Sequence, residues 1–275
     1  MKKKAFQKHY ILMVVIIAIL LFFACGFYSK LETTTYQYTS SKLPDAFDGY
    51  CIVQISDFHC KSFGTNESDL IQSIIDAKPD LIVLTGDMID DSHTLDNVKH
   101  LLSGISTIAP IYSVTGNHEY DLLDLYDELE TIYQTYGVTE LDGNYATIMK
   151  NNQKINIYSI YTNVYHDGSS GPDTYVNIKN KEDFNLLLYH YSNYFDTISK
   201  LGFDLVLSGH THGGIVRIPF VGGLLANDGS FFPKYDSGEF QKNGTTMISS
   251  RGLGDAYIPR FFNRSELVKI ILHTK

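Results

Sequence analysis

The feature that most constrains this chain is a short apolar run, rich in β-branched residues, that ends abruptly in polar residues and recurs five times. The runs and their endings are CIVQIS before Asp57-Phe58-His59, LIVLT before Gly86-Asp87, IYSVT before Gly116-Asn117-His118-Glu119, FNLLLY before His190, and DLVLS before Gly209-His210-Thr211-His212. Unbroken apolar runs of this length are typical of strands that are buried on both faces of a sheet. The pattern therefore predicts an α/β fold.

Helical periodicity fills two of the gaps between these runs. One apolar stripe stops before Pro79 and consists of Leu70, Ile71, Ile74 and Ile75. A second stripe ends at Gly137, a typical C-cap residue, and consists of Leu122, Tyr126, Leu129, Tyr133 and Tyr136. Two later runs, YATIMK and INIYSIYT, flank Asn151-Asn152-Gln153-Lys154 and predict a hairpin. The predicted order is strands alternating with helices, followed by antiparallel pairs.

The polar endings of the runs predict a metal site. Ligand sites in open α/β sheets lie beyond the carboxyl ends of the strands, where all five endings fall. Taken alone, GHTHGG is as compatible with surface histidines as with metal ligands. The candidate donors of the whole set are Asp57, His59, Asp87, Asn117, His118, His190, His210 and His212. Imidazole, carboxylate and amide groups suit Mn, Fe, Zn, Co or Ni better than Ca or Mg. Two ions about 3.5–4 Å apart that share one carboxylate would use nearly all of these donors.

In this order, the motifs DFH, GD, GNHE, a separate histidine and GHTH resemble the calcineurin-like metallophosphoesterase family over about residues 49–274. SDFH, GHTHGG and the run FFPKYDSGEF…SSRGLG…IPRFFNRSEL look closest to its single-pass, membrane-anchored bacterial branch. The resemblance implies an α/β sandwich of two mixed β-sheets flanked by helices. It also implies a metal-dependent phosphoric ester hydrolase, with a phosphodiesterase favoured over a phosphomonoesterase.

The resemblance further implies roles for single residues. The implied metal ligands are Asp57, His59 and His212 for one ion, Asn117, His190 and His210 for the second, and Asp87 as a bridge between them. His118 would face the phosphoryl group and protonate the leaving oxygen, steadied by Glu119. Hydroxide formed from water at the ions would attack phosphorus in line, without a phosphorylated enzyme intermediate. No substrate-binding residue is predicted.

Two positions depart from the family pattern. Ile215 stands where relatives often have Gln, and Cys60 stands where Gly is common, but neither departure removes an implied ligand. A function of another class remains open, namely a catalytically silent binding module that recognises a phosphorylated ligand or partner. Loss of a ligand or of His118 would favour that module, and this sequence retains all of them.

The N-terminal residues predict a membrane anchor. Residues 1–9 contain four lysines, and the 19 residues from Tyr10 to Tyr28 contain no charge. As a helix with a rise of ~1.5 Å per residue, they would span about 28 Å, the hydrocarbon thickness of a bilayer. A cleaved signal peptide ending near Cys25, with that cysteine as a lipidation site, is the alternative; Phe22 and Phe23 are bulky for it. The lysine bias places residues 1–9 in the cytoplasm and the remaining chain outside.

Residues 29–48 are interpreted as a linker that passes into an edge strand, and residues 49–275 as the metallophosphoesterase domain. A flexible coil of this length spans about 25 Å and would keep the site near the bilayer. This favours an extracytoplasmic lipid-headgroup or cell-envelope substrate, although nucleotides and monoesters remain open. The net charge of −9 argues against nonspecific nucleic-acid binding. No oligomeric state is predicted, and Cys51 and Cys60 are not expected to pair.

Several other side chains have two interpretations. Arg251, Arg260 and Arg264 could meet a phosphate or form salt bridges. A group of apolar residues is interpreted as core rather than as an apolar lip: Phe220, Leu224, Leu225, Phe231 and Phe232. His93 is expected at the surface, and His166 and Asp167 are expected in a solvated loop rather than on the rim of the site.

Overall fold

Two six-stranded β-sheets face each other, and helices cover their outer faces. The structure is a computed structural model, and it describes residues 2–275 except 93, 165–169, 173–175, 227–228 and 256–257. His93, His166 and Asp167, which were expected at the surface, lie outside the described residues.

The helices of the described chain are α1 (Lys2–Gly26), α2 (Ser68–Ala77), α3 (Asp96–Ile105), α4 (Asn117–Asp121), α5 (Leu123–Tyr136) and α6 (Phe195–Ile198). The first eight strands are β1 (Glu32–Ser40), β2 (Cys51–Ile55), β3 (Leu81–Thr85), β4 (Ile111–Val114), β5 (Thr139–Glu140), β6 (Tyr145–Lys150), β7 (Gln153–Ser159) and β8 (Thr162–Val164). The other strands are β9 (Ser170–Pro172), β10 (Asn185–Tyr191), β11 (Leu205–Gly209), β12 (Val216–Ile218), β13 (Gly222–Leu225), β14 (Gly238–Lys242), β15 (Thr245–Ser249) and β16 (Glu266–Thr274).

Both large sheets are mixed, as the resemblance implies. The first has the order β1-β16-β2-β3-β4-β5, in which only the β16–β2 pair is antiparallel. The second has the order β14-β15-β11-β10-β7-β6, in which the two edge strands are antiparallel to their neighbours. Two small sheets, β8–β9 and β12–β13, lie outside them.

All five apolar runs form strands, as predicted. β2, β3, β10 and β11 are buried over their whole length, and β4 is buried except at Tyr112. Their side chains alternate between two layers of core. Ile52, for example, packs between the two sheets, whereas Val53 packs on the opposite face beneath α2 and α3. Burial on both faces explains why these runs contain no polar alternation.

The predicted helices and the predicted hairpin are also confirmed. Leu70 and Ile74 of α2 pack on the first sheet, and α5 ends at Gly137, whose φ of 70° is left-handed. The hairpin β6–β7 turns at Asn151 and Asn152, which both have positive φ. This turn is shorter than the sequence predicts because the next two residues already pair within the ladder.

The expectation of a flexible coil over residues 29–48 is wrong. β1 pairs in parallel with β16 along its nine residues, from Glu32 opposite Glu266 to Ser40 opposite Thr274. It lies at the edge of the first sheet, as expected for an edge strand. Only residues 27–31 remain between α1 and β1. The reach of about 25 Å therefore does not apply, because the ladder fixes residues 32–40 of the segment in an extended strand.

Helix α1 is, in the described part of the chain, the one helix that is long and apolar enough to cross a membrane. The window Gln7–Gly26 is almost wholly exposed, which is compatible with a span over the predicted residues 10–28. Its last turn contacts the domain. The Phe262 N–H donates to the Gly26 carbonyl at 2.6 Å, and the rings of Phe261 and Phe262 lie 5.7 and 5.1 Å from that of Phe22.

The interpretation of Phe220, Phe231 and Phe232 as core residues is wrong. All three are exposed, because they lie on or beside the small β12–β13 sheet, outside the three clusters of the core. Leu224 and Leu225 are half-buried. The three cysteines are free thiols.

Candidate metal centre

Strand ends of both sheets bring titratable side chains together in three overlapping groups. Within each group, the potential ligand atoms all lie within 4.8 Å of one another. The groups are Asp57, His59 and His212; His59, Asp87 and His118; and Asp87, His190 and His210. The first sheet supplies the ends of β2, β3 and β4, and the second supplies those of β10 and β11. The place of the cluster follows from the meeting of these strand ends at one edge of the sandwich.

The first group presents imidazole and carboxylate atoms to a common point. His212 Nε2 lies 3.1 Å from His59 Nε2 and 3.5 Å from Asp57 Oδ1. His59 Nδ1 lies 3.3 Å from the Ile89 carbonyl oxygen, so that this nitrogen can carry the ring proton. The Nε2 lone pair of His59 is then available to a cation.

The third group has a similar geometry and is joined by Asn117. His190 Nε2 lies 3.2 Å from Asp87 Oδ2 and 3.3 Å from His210 Nδ1, which lies 3.1 Å from Asn117 Oδ1. The Nδ1–H of His190 donates to the Thr85 carbonyl at 2.8 Å, which leaves Nε2 facing the group. Asn117, Asp87, His190 and His210 thus form one set of potential metal donors, which consists of an amide, a carboxylate and two imidazoles.

Asp87 lies between these two groups. Its Oδ1 accepts a hydrogen bond from the backbone N–H of His118 at 2.9 Å. Its buried Oδ2 has no hydrogen-bond partner among the described residues, but it lies 3.2 Å from His190 Nε2 and 3.8 Å from His59 Nε2. Buried carboxylate oxygens are normally satisfied by a donor or a cation. The residues present therefore fit a pair of divalent ions bridged by Asp87.

The electrostatics of the cluster favour positive charge beside Asp87. Burial alone would raise the pKa of Asp87, but His190, His59 and His118 together hold this pKa well below its ordinary value. Burial would likewise lower the pKa of His190, but Asp87, Asp57 and the Thr85 carbonyl together raise it to about 10. Burial and the neighbouring His59 and Arg260 lower the pKa of His212. Either a proton on His190 or a bound cation can neutralise the negative charge of the Asp87 carboxylate.

The backbone of the candidate ligands is strained. Five of them have left-handed φ values between 47° and 75°, namely Asp57, His59, Asp87, His210 and His212. This conformation costs a residue other than glycine about 1–2 kcal/mol. Strain of this kind is concentrated at functional sites, where the surrounding structure holds it in place.

Two glycines allow the ligand loops to approach each other. A Cβ atom on Gly209 would lie 2.0 Å from Ser56 Oγ and 2.2 Å from Asp57 Oδ2. A Cβ atom on Gly116 would lie 2.2 Å from Asp87 Oδ1. Any side chain at these positions would push the carboxylates out of the cluster.

Comparison with known proteins agrees with this geometry. Residues 51–214 match the family model described as calcineurin-like phosphoesterase. The chain belongs to this family. It is 32% identical over 253 residues to the uncharacterized metallophosphoesterase YkuE of Bacillus subtilis, an alignment that covers 88% of this chain and 85% of YkuE. It is a calcineurin-like, metal-dependent phosphoester hydrolase.

Two further relatives are more distant. The phosphodiesterase YaeI of Escherichia coli is 27% identical over 227 residues, which cover 80% of this chain and 81% of YaeI. A transmembrane protein with metallophosphoesterase domain from Danio rerio is 26% identical over 246 residues, which cover 84% of this chain and 55% of that protein.

His118 of this phosphoesterase lies at the start of α4, in the second of the three groups. Its ring is half-buried, and its centroid lies 4.6 Å from that of His59. This position is close enough for a ligand atom and open enough to meet a substrate. This geometry is compatible with a metal ligand and with a group that contacts substrate, and the catalytic role of His118 stays a prediction.

Glu119 is buried and acts on the backbone of the phosphoesterase. Its Oε2 accepts hydrogen bonds from the N–H groups of Asp87 and Gly116, at 2.9 and 2.7 Å, and its Oε1 accepts one from Met88 at 2.8 Å. The described residues include no hydrogen bond between this carboxylate and the His118 ring. That Glu119 steadies the ring stays a prediction; in the structure its carboxylate ties the Asp87 loop to the Asn117 loop.

The three arginines have different surroundings. Arg251 and Arg264 form ion pairs with Glu32, and Arg251 also pairs with Glu266 at 2.9 Å. Arg260 is buried, and its terminal nitrogen lies 3.3 Å from His212 Nδ1. Arg260 also donates to the Gly254 carbonyl from Nε at 2.8 Å. The sequence alone does not choose between a phosphate contact and a salt bridge for Arg260, which the structure places beside the metal centre. The signal for this position is a charged residue within the apolar run IPRFF.

Proposed function

We propose that this phosphoesterase is a membrane-anchored, two-metal phosphodiesterase with an extracytoplasmic lipid-headgroup or cell-envelope substrate. The observation that carries the chemistry is the Asp87 carboxylate between two buried donor groups. The preference for a diester rests on similarity to YaeI, which is named a phosphodiesterase.

The protein residues would organise the reaction as follows. Two divalent cations, such as Mn, Fe or Zn, would supply Lewis-acid activation of water at neutral pH and neutralise phosphoryl charge. Asp57, His59 and His212 would hold one ion, Asn117, His190 and His210 the other, and Asp87 both. Glu119 would keep the two ligand loops in register through its three backbone hydrogen bonds.

His118 would supply the general acid. Its backbone N–H bond to Asp87 Oδ1 fixes the start of α4 against the bridging carboxylate. Its ring is half-buried, whereas His59 and Asp87 of the same group are buried. A proton given by this imidazole to the leaving oxygen would avoid release of a free alkoxide.

The membrane location rests on α1. Its apolar surface is exposed over a length that can span a bilayer, and four lysines lie in its first turns. By the positive-inside rule the domain would lie outside the cytoplasm. A relative named as a transmembrane protein supports an anchored arrangement.

The direct test is hydrolysis of bis(p-nitrophenyl) phosphate and p-nitrophenyl phosphate by the purified full-length protein with Mn, Fe or Zn. We expect metal-dependent turnover that is faster on the diester. A protein that binds two ions but turns over neither compound, nor releases phosphate from membrane and wall extracts, would instead be a silent binding module.

A further inference from the structure

Five exposed apolar side chains lie on or beside the small β12–β13 sheet. Phe220, Phe231 and Phe232 are 108%, 70% and 60% exposed, and Ile218 and Val221 accompany them. The Phe232 N–H donates to the Leu224 carbonyl at 3.0 Å, which attaches Phe231 and Phe232 to β13. We call this surface, residues 216–225 with Phe231 and Phe232, the aromatic hairpin.

The tip of the aromatic hairpin holds its phenylalanine in an unusual conformation. The Val221 N–H donates to the Ile218 carbonyl at 3.0 Å, with Pro219 second in the turn and Phe220 third. Phe220 has a φ of 68°, which matches the third position of a type II turn, where Gly is the usual residue. A bulky side chain there is rare, and full exposure means that core packing does not explain it.

The aromatic hairpin continues the apolar surface of α1. Val216 forms a bridge with Phe261, and the Arg217 N–H donates to the Phe261 carbonyl at 2.9 Å. Phe261 and Phe262 contact Phe22 in the last turns of α1. A cavity of about 500 Å³ lies between the hairpin tip and Phe262. Contacts therefore run from the end of the helix through Phe261 to the base of the hairpin, whose tip carries Phe220, and Arg217 and Asp236 also line the cavity.

The same hairpin is joined to the metal centre. Gly213 and Gly214 connect His212 to β12, and the Gly213 carbonyl accepts a hydrogen bond from the Arg217 guanidinium. A Cβ atom on Gly214 would lie 2.6 Å from the Gly223 Cα, so the ligand loop and β13 pack backbone to backbone. Whatever binds the hairpin tip is thereby fixed relative to His212.

We propose that the aromatic hairpin enters the interface of the lipid bilayer beside α1 and holds the metal centre at the membrane surface. This inference rests on the proposed membrane span of α1. A bilayer is the occupant that fits, because the surface continues from an apolar helix and because aromatic side chains favour the membrane interface.

The absence of tryptophan from the sequence allows a direct test. Phe220→Trp in the full-length, metal-loaded protein places a single fluorophore at the hairpin tip. In phosphatidylcholine–phosphatidylglycerol vesicles we expect a blue-shifted emission, most of which is lost when the acyl chains are brominated near the headgroup.

Two matched variants serve as controls for this measurement. Tyr145→Trp reports a 44% exposed site on β6, at the opposite edge of the second sheet from β14, whose Phe240 lines the cavity. Five strand spacings separate these edges by about 24 Å, so its emission should not be quenched. Phe22→Trp reports the span itself and should be quenched.

The outcomes separate the two proposals. Quenching of Phe22→Trp, with Phe220→Trp no more quenched than Tyr145→Trp, would overturn the hairpin contact and leave the anchor intact. No quenching at either position would remove the anchor as well. A blue shift at Phe220→Trp that brominated lipid does not quench and that dilution abolishes would mean contact with a second copy of the chain, and would also overturn the proposal.

Discussion

The Asp87 carboxylate allows a test of whether the donors form one two-metal centre or two unrelated polar clusters. Asp87→Ala should abolish hydrolysis and remove most of the bound metal, because this carboxylate faces both donor groups. Elemental analysis of the purified variant, beside an activity assay, checks both effects. Asp91→Ala, which removes an exposed carboxylate from the same loop, is the control. Two retained ions with normal turnover would refute the bridging role.

His118 offers a second distinction, between a general acid and a ligand. His118→Ala should lower turnover by ~10²–10⁴ if proton donation to the leaving oxygen dominates its role. Metal content should stay near that of the unmodified protein, since all seven proposed ligands remain. Loss of metal from this variant would assign His118 to the ligand shell instead.

The types of residue at the centre could be foreseen, but some of their contacts could not. The carboxyl ends of parallel strands meet at one edge of a sheet, so residues after neighbouring strands of the first sheet, such as Asp57 and Asp87, could be expected to converge. The role of Glu119 depended on backbone groups of a loop 31 and 32 residues away. Arg260 meets His212 across 48 residues. No local pattern encodes contacts of this kind.

Strands and helices could be predicted where burial leaves a period in the sequence. β2, β3, β10 and β11 are unbroken apolar runs because both of their faces are covered. The alternation of ETTTYQYTS predicts an edge strand, but nothing in it specifies β16 as its partner, at the far end of the chain. The β12–β13 hairpin was missed because Phe220 stands where turn chemistry calls for Gly.

The contact between α5 and β5 predicts a pH-dependent stability. Tyr126 donates a hydrogen bond to Glu140, and burial, aided by Asp142 and opposed by that bond, raises the pKa of Glu140 to about 7. Because the folded state holds this proton more tightly than the unfolded state, stability should fall as pH rises from about 4.5 to 7.

Glu140→Gln should remove this loss, since a neutral amide can still accept from Tyr126. The side chain is only partly buried, so the gain in unfolding free energy at pH 8 should be on the order of 1 kcal/mol. Thermal unfolding at pH 5 and pH 8 measures it. An identical drop in Tm between these pH values for both proteins would contradict the assignment.

The orientation of the chain follows from charge at its first helix. Four lysines lie in the first turns of α1, and the uncharged part of the helix separates them from the domain. Protease added to intact cells, after removal of any outer wall, should digest the domain beyond Lys30. A cytoplasmic marker protein should survive in the same sample. Protection of the domain until the membrane is opened would reverse the orientation.

A test of substrate choice needs a chain that lacks α1 but keeps the whole domain, so its first residue must be chosen from the contacts of residues 29–40. A chain that starts at Lys42 would lose β1 and expose β16, whereas one that starts at Ser29 keeps β1 and the Lys30 and Leu31 carbonyls that bind Arg264. The Ser29 chain should hydrolyse small aryl phosphodiesters as fast as the full-length protein, because the metal centre lies wholly within it.

On phosphodiesters embedded in vesicles, the Ser29 chain should be much slower than the full-length protein reconstituted in the same vesicles. Tethering by α1 raises the effective concentration of surface-bound substrate without adding a contact at the metal centre. The short tether between α1 and β1 strengthens this expectation, since it leaves the domain little freedom to leave the bilayer. Initial rates at matched protein concentration measure the difference. Equal rates on the embedded substrates would remove the reason to propose a lipid or envelope substrate, and a diffusible nucleotide or sugar phosphate would then fit better.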